Sequence, residues 1–141
     1  MVEDGAIAPI SIALILAADL PAGLAANTAA VLGVSIGRRF PIVGPDLPDA
    51  GGELHRGLTT VPLPTLKAAP ERLAAIRAAA IAETALYVVD ITQAAQTTTN
   101  YEDYAERLLA GEATAHVYLG MALCGPLKAV RRLSGNLPLY R

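Results

Sequence analysis

Two apolar runs near the start of the chain set the hydrophobic pattern on which the predicted fold rests. Residues 7–18 are almost continuously apolar, and residues 24–36 form a second run after a break at 19–23. The first run is typical of a strand that helices cover on both faces. In the second run, four residues recur at intervals of four and share one helical face: Leu24, Thr28, Leu32 and Ile36. Alanine fills most other positions, so we expect a strand, a turn and a helix that is buried nearly all round.

The break between the two runs argues against a membrane segment. Pro21 fixes its own φ and Gly23 permits left-handed geometry, so a turn is favoured there. A membrane span needs about 20 apolar residues in a row, and Pro9, Asp19 and Pro21 interrupt the run. The residues that precede it are acidic, whereas a signal peptide has a basic flank. We therefore expect no membrane role and a cytoplasmic protein.

The rest of the chain alternates between helical and strand patterns. In order, these predict a long irregular loop (41–57), an edge strand (58–64) and a cover helix from Pro70 with the apolar stripe Leu73, Ile76, Ala80 and Ile81. They then predict a strand buried on both faces (84–91), a helix capped by Thr99 or Asn100 (101–109), a last strand (115–123) and a short helix (127–133). We expect one α/β domain over residues 1–141 with a four-stranded sheet.

Composition narrows the function classes. Hydrophobic residues make up 53% and charged residues 17% of 141 residues, which predicts a well-packed core and a thinly charged surface that favours an oligomer interface. The net charge of −2 gives no general attraction for nucleic acid. The single cysteine, Cys124, excludes an internal disulfide and fits a reducing compartment. His55, His116 and Cys124 are too dispersed to predict a metal site, and we expect no cofactor.

Polar residues cluster where the predicted strands end. Asp19 follows the first strand, and Asp90, Thr92 and Gln93 follow the strand over 84–91. Ligands in open α/β sheets bind beyond the carboxyl ends of strands, so these residues form a candidate site. The alternative is that Asp90 and Thr92 cap the next helix or turn.

Several short motifs in a fixed order indicate a family. Tyr118-Leu119-Gly120, Gly125-Pro126 and the tail over 133–140 resemble the C-terminal signature of the type II peptidyl-tRNA hydrolases, and the segments Asp19-Leu20 and Ala25-Ala26-Asn27 resemble the start of these enzymes. From about residue 10 to 141 the chain more closely resembles the uncharacterised bacterial family catalogued as domain of unknown function 2000, which is similar in fold to those hydrolases. The resemblance implies a three-layer α/β/α domain, a four-stranded mixed sheet with one antiparallel strand, and a homodimer.

Only part of the hydrolase machinery is carried over by this resemblance. The glutamine position falls on Asn27, the aspartate on Asp90, and the threonine near His116 or Val117. The lysine position falls within residues 22–24, where no cation occurs. Since that lysine would contact phosphate and support a developing oxyanion, its loss argues against tRNA ester cleavage unless Lys67, Lys128 or Arg131 compensates.

Three functions therefore stay open. The first is the binding of a small ligand or peptide in a groove formed by five residues: Asp19, Asn27, Asp90, Thr92 and Gln93. The second is an active peptidyl or aminoacyl ester hydrolase in which Asp90 or His116 handles a proton. The third is a structural homo-oligomer.

Overall fold

The computed structural model describes residues 9–141, which form eleven helices and strands. In chain order these are β1 (Ser11–Ala17), α1 (Ala22–Arg39), β2 (Leu47–Pro48), β3 (Leu54–His55), β4 (Thr65–Ala68), α2 (Pro70–Ala82), β5 (Tyr87–Thr92), α3 (Ala94–Thr97), α4 (Tyr101–Leu109), β6 (Tyr118–Gly125) and α5 (Leu127–Ser134).

A four-stranded mixed sheet lies at the centre, with the strand order β4-β1-β6-β5. β1 pairs parallel with β4, whereas β6 runs antiparallel to both of its neighbours. The carboxyl ends of β1, β4 and β5 therefore meet at one end of the sheet. The predicted α/β class and mixed sheet are confirmed.

Two apolar cores cover the two faces of this sheet. Helix α1 packs on one face through Leu32 and Ile36. Helices α2 and α5 pack on the other, where Leu73 and Val130 meet Met121. This arrangement gives the three-layer α/β/α architecture.

The first strand and helix are confirmed, but the expected all-round burial of the helix is wrong. Thr28, Leu32 and Ile36 have no exposed surface, as their four-residue spacing predicts. Val34, by contrast, is 76% exposed, because α1 packs on the sheet through its inner face and no described element covers its outer side. Within residues 9–141, no helix is both long enough and apolar enough to cross a membrane.

The segment between α1 and α2 differs from prediction in two ways. The expected irregular loop over 41–57 contains the short hairpin β2–β3, whose turn includes Gly52 with a φ of +88° and is tied by Asp49, which accepts from the backbone N–H of Gly51. The edge strand expected over 58–64 lies later, at β4, because Pro62 and Pro64 cannot donate to a ladder.

The C-terminal tail covers the β4 edge of the sheet. The backbone N–H of Lys67 donates to the Pro138 carbonyl oxygen at 3.0 Å, and the Tyr140 N–H donates to the Thr65 carbonyl oxygen at 2.8 Å. The Tyr140 hydroxyl also donates to the Leu20 carbonyl oxygen at 2.8 Å. The tail thus protects this edge from pairing with another chain.

The other edge strand, β5, is less buried than predicted. The sequence favoured a strand covered on both faces, yet Tyr87 is exposed and Val88 and Val89 are half-buried. The reason is that β5 lies at the edge of the sheet, with β6 on one side and no strand of the described part of the chain on the other.

Strand β6 begins three residues later than predicted, after a short 3₁₀ turn over Ala113–Ala115. Its pairing with β5 contains a bulge, since Ile91 is opposite Gly120 and Thr92 is opposite Tyr118, which leaves Leu119 as the extra residue. The bulge places Tyr118 in the α2-side core, whereas Gly120 faces Leu16 and Thr28. Tyr118 and Gly120 therefore face opposite sides of the sheet, whereas the alternation of a regular strand over 115–123 would put both on one side.

Candidate functional site

An ion pair on the α2 side of β5 fixes the orientation of Asp90. The Arg77 Nε atom, from α2, donates to Asp90 Oδ2 at 2.9 Å, and each side chain is only 21% exposed. The Arg77 guanidinium also lies 4.9 Å from the centre of the Tyr118 ring. Because the Arg77 guanidinium contacts both Asp90 and the Tyr118 ring, it holds the Asp90 carboxylate in one orientation.

Two tyrosines border this ion pair. The Tyr118 hydroxyl donates to the Ala113 carbonyl oxygen at 2.8 Å, and burial raises the pKa of Tyr118. Burial, followed by the negative charge of Asp90, raises the pKa of Tyr104. Both phenols are therefore neutral hydrogen-bond donors at physiological pH.

A groove with a volume of about 480 Å³ runs along β5 between α1 and the segment that contains α4. Its α1 side is mainly apolar, with Val31, Val89 and Ala95. Its other side carries the polar groups of Asp90 and Tyr104, together with Asn100 and Tyr101. An apolar groove with a few convergent polar groups is the usual composition of a ligand site.

The five residues predicted to line one groove do not converge. Asp90 lines the groove described above, whereas Asp19 is exposed in the turn after β1. Asn27 lies on α1, on the opposite face of the sheet from the Arg77–Asp90 pair, and its Oδ1 accepts from Gln96 Nε2 at 3.2 Å. Gln93 is exposed, and its backbone N–H extends the β5–β6 ladder to the Val117 carbonyl oxygen.

Thr92 is buried close to Tyr104, and its hydroxyl makes no hydrogen bond of good geometry among the described residues. The alternative that Asp90 and Thr92 cap the following helix is wrong, because Gln93 holds the N-cap position of α3 and no side chain caps it. The predicted cap of α4 is confirmed, since Asn100 Oδ1 accepts from the Asp103 N–H at 2.8 Å.

His116 lies outside the groove. Its Nε2 atom is 3.1 Å from the Gly111 carbonyl oxygen, which fits a structural hydrogen bond in the loop before β6. His55 lies in the distant hairpin, with its Nε2 atom 2.8 Å from Asp49 Oδ2. In residues 9–141, no three His, Cys, Asp or Glu side chains come close enough to hold a metal ion.

Sequence reasoning missed Arg77 and Tyr104 as site residues. In the sequence, Arg77 borders the apolar stripe of the cover helix, and Tyr104 lies within the helical pattern over 101–109. In the structure, no residue of α4 is buried, so this helix lies beside β5 without joining either core. An arginine at the boundary of an apolar stripe was the one available signal, because that position lets its guanidinium reach an acidic residue on the sheet.

A larger cavity of about 630 Å³ lies at the opposite end of the sheet, around Phe40, Ile42 and Pro126. Thr60 contributes the only side-chain hydroxyl among its described lining residues, and no charged residue lines it. It therefore offers a ligand fewer polar and charged groups than the groove along β5.

Comparisons with known proteins place the chain among proteins whose activity is not known. A solved structure of a protein of unknown function from Agrobacterium tumefaciens strain C58 shares the fold, with a TM-score of 0.85, 21% sequence identity, and coverage of 94% of this chain and 98% of that one. No curated protein matches the chain. The sequence profile of the family described as "Protein of unknown function (DUF2000)" matches residues 11–141. The chain therefore belongs to the DUF2000 family, as its resemblance over about residues 10–141 predicts.

Proposed function

We propose that this protein binds a small organic molecule or a short peptide in the groove along β5. The observation that carries the proposal is Asp90, whose carboxylate Arg77 holds in place and which is one of the residues that line a largely apolar groove. Arg77 occupies Oδ2, and no described group donates a hydrogen bond to Oδ1. A ligand that carries an amine or another N–H donor would find its acceptor already oriented.

The test is a binding screen with amines, amino-acid amides and short peptides on isotope-labelled protein. A ligand of the groove should shift the amide resonances of Val31, Asp90 and Tyr104 together, because these residues border the same space. It should also raise the unfolding temperature, as any molecule that binds only the folded state does.

Two matched substitutions check the assignment. Asp90→Asn removes the carboxylate from the groove and should weaken binding at least about tenfold, or 1.4 kcal/mol. Asp19→Asn makes the same charge change at an exposed residue outside the groove and should leave binding intact. Equal affinities of the two variants, or shifts confined to another surface, would contradict the proposal.

A second candidate is hydrolysis of a peptidyl or aminoacyl ester, and the position of Arg77 favours it. The chain lacks a cation where the resembling hydrolases have a lysine, yet Arg77 provides one at 2.9 Å from Asp90. Asp90 accepts from only one of the five guanidinium N–H groups, so the others can stabilise a developing oxyanion. An assay on peptidyl-tRNA with an authentic type II hydrolase as positive control tests this, and turnover that Asp90→Asn does not reduce would exclude the assigned site.

We also propose that the protein is a homodimer, as the family resemblance implies. Support comes from the hairpin segment, where three leucines are more than half exposed: Leu47, Leu54 and Leu58. Exposed apolar clusters of this kind often mark contact sites. Light scattering on the wild type and on a Leu47→Ser/Leu54→Ser variant tests the proposal, which predicts a dimer that the double substitution weakens.

A further inference from the structure

We infer that the ligand of the groove is an extended peptide that pairs with β5 as a fifth strand of the sheet. This inference rests on the proposed function, because it uses the same groove, and it specifies the ligand class and the mode of binding. Its basis is the edge strand β5, of which three consecutive residues line the groove: Val89, Asp90 and Ile91.

The outward-facing backbone groups of β5 can be assigned from one hydrogen bond. The Gln93 N–H points toward β6, where it donates to the Val117 carbonyl oxygen at 2.8 Å. Because backbone groups of a strand alternate in direction, Ile91 and Val89 also face β6, and Val88 and Asp90 face the groove side. Among the described residues, no group outside β6 hydrogen-bonds to the backbone of β5 between Tyr87 and Ile91.

The two edges of the sheet differ in whether another segment pairs with them. The β4 edge is paired by the C-terminal tail through Lys67 and Tyr140. No segment within residues 9–141 pairs with the β5 edge, although an open edge attracts other extended chains. An open edge bordered by a groove is the arrangement that peptide-binding domains use when they add a strand from their ligand.

The side-chain chemistry of the groove indicates the sequence of the peptide. Side chains of an added strand alternate between the two sides of the sheet. Those on the α1 side would meet Val31 and Val89, which favour apolar residues. Those on the other side would meet Asp90, which is paired with Arg77, and lie near α4, where three acidic residues outnumber the single cation Arg107: Glu102, Asp103 and Glu106. The expected ligand therefore alternates apolar and basic residues.

The experiment titrates labelled full-length protein with a capped peptide in which valine and lysine alternate over about seven residues. Strand addition predicts that hydrogen exchange at the amides of Val88 and Asp90 slows at least about tenfold in the complex. The amides of Val89 and Ile91 already point toward β6, so they serve as internal references and should change much less. A matched peptide of alternating valine and glutamate should bind at least about tenfold more weakly.

Backbone methylation of the peptide separates strand pairing from side-chain binding. N-methyl groups placed on every second residue should abolish binding in one register and spare it in the other, because only alternate peptide N–H groups face β5. Equal effects of the two methylation patterns, or unchanged exchange at Val88 and Asp90 in the complex, would overturn the inference.

Three further outcomes are distinguishable. If small amines shift the groove resonances but the peptide gives no protection at Val88 and Asp90, the inference fails while the proposed function stands. If neither amines nor peptides perturb the groove, both fail. Protection of the two amides that appears without peptide and rises with protein concentration would assign the edge to a second copy of the chain and overturn the peptide.

Discussion

Arg77 and Asp90 lie on different elements and meet as an ion pair, with Arg77 Nε 2.9 Å from Asp90 Oδ2. Because both side chains are only 21% exposed, removal of the cation leaves a carboxylate that water cannot fully solvate. We expect Arg77→Met to lower the free energy of unfolding by about 1–3 kcal/mol. Urea denaturation provides the measurement.

A double-mutant cycle with Asp90→Asn isolates the pair. The double variant should lose less stability than the sum of the single variants. The exposed pair of Arg132 and Glu83, at 3.0 Å, is the matched control, and Arg132→Met should cost less than about 1 kcal/mol. Strict additivity at Arg77 and Asp90 would show that their contact contributes nothing to stability.

Alkaline pH should destabilise the protein through Tyr104. Burial and the charge of Asp90 raise the pKa of Tyr104 in the folded state, so the unfolded chain releases this proton first, at a pH of about 10. The contribution of Tyr104 to stability is therefore complete below that pH and is lost as the pH rises through its folded pKa. The unfolding free energy of Tyr104→Phe should fall less steeply above pH 10 than that of the wild type, and identical slopes would contradict this.

Cys124 should not react in the native protein. It is fully buried on β6, and burial raises its pKa to about 11, so the reactive thiolate is scarce at neutral pH. A coloured thiol reagent should label it only as fast as the protein unfolds, and urea should accelerate the reaction. Rapid labelling without urea would mean that β6 opens to solvent in the native state.

The sequence predicted β1 and α1 well, because the spacing of apolar residues along each element follows which of its faces is buried. It did not predict that β5 is an edge strand, because Val88 and Val89 look alike whether one neighbour or two pair with the strand. The candidate site was only partly foreseen for a similar reason. Asp90 was identified from its place near a strand end, whereas its partner Arg77 lies 13 residues earlier on another element, and only the packing of α2 on the sheet brings them together.

The close packing of α1 on the sheet depends on a glycine in β6. A Cβ atom at Gly120 would lie 2.8 Å from Leu16 Cδ2 and 2.9 Å from Thr28 Cγ2, both in the buried core on the α1 side. We expect Gly120→Ala to cost about 1–3 kcal/mol, because a well-packed core cannot accommodate an added methyl group without strain.

Gly33 in α1 is the matched control, since nothing lies within 4 Å of the position that its Cβ would occupy. Alanine is the better helix former, so Gly33→Ala should raise the unfolding free energy by up to about 1 kcal/mol. Opposite signs for the same chemical change at the two glycines are the expected result of urea denaturation. An unchanged or raised stability of Gly120→Ala would mean that α1 can move away from the sheet at little cost, and the close contact of Thr28 with β6 would then contribute little to the fold.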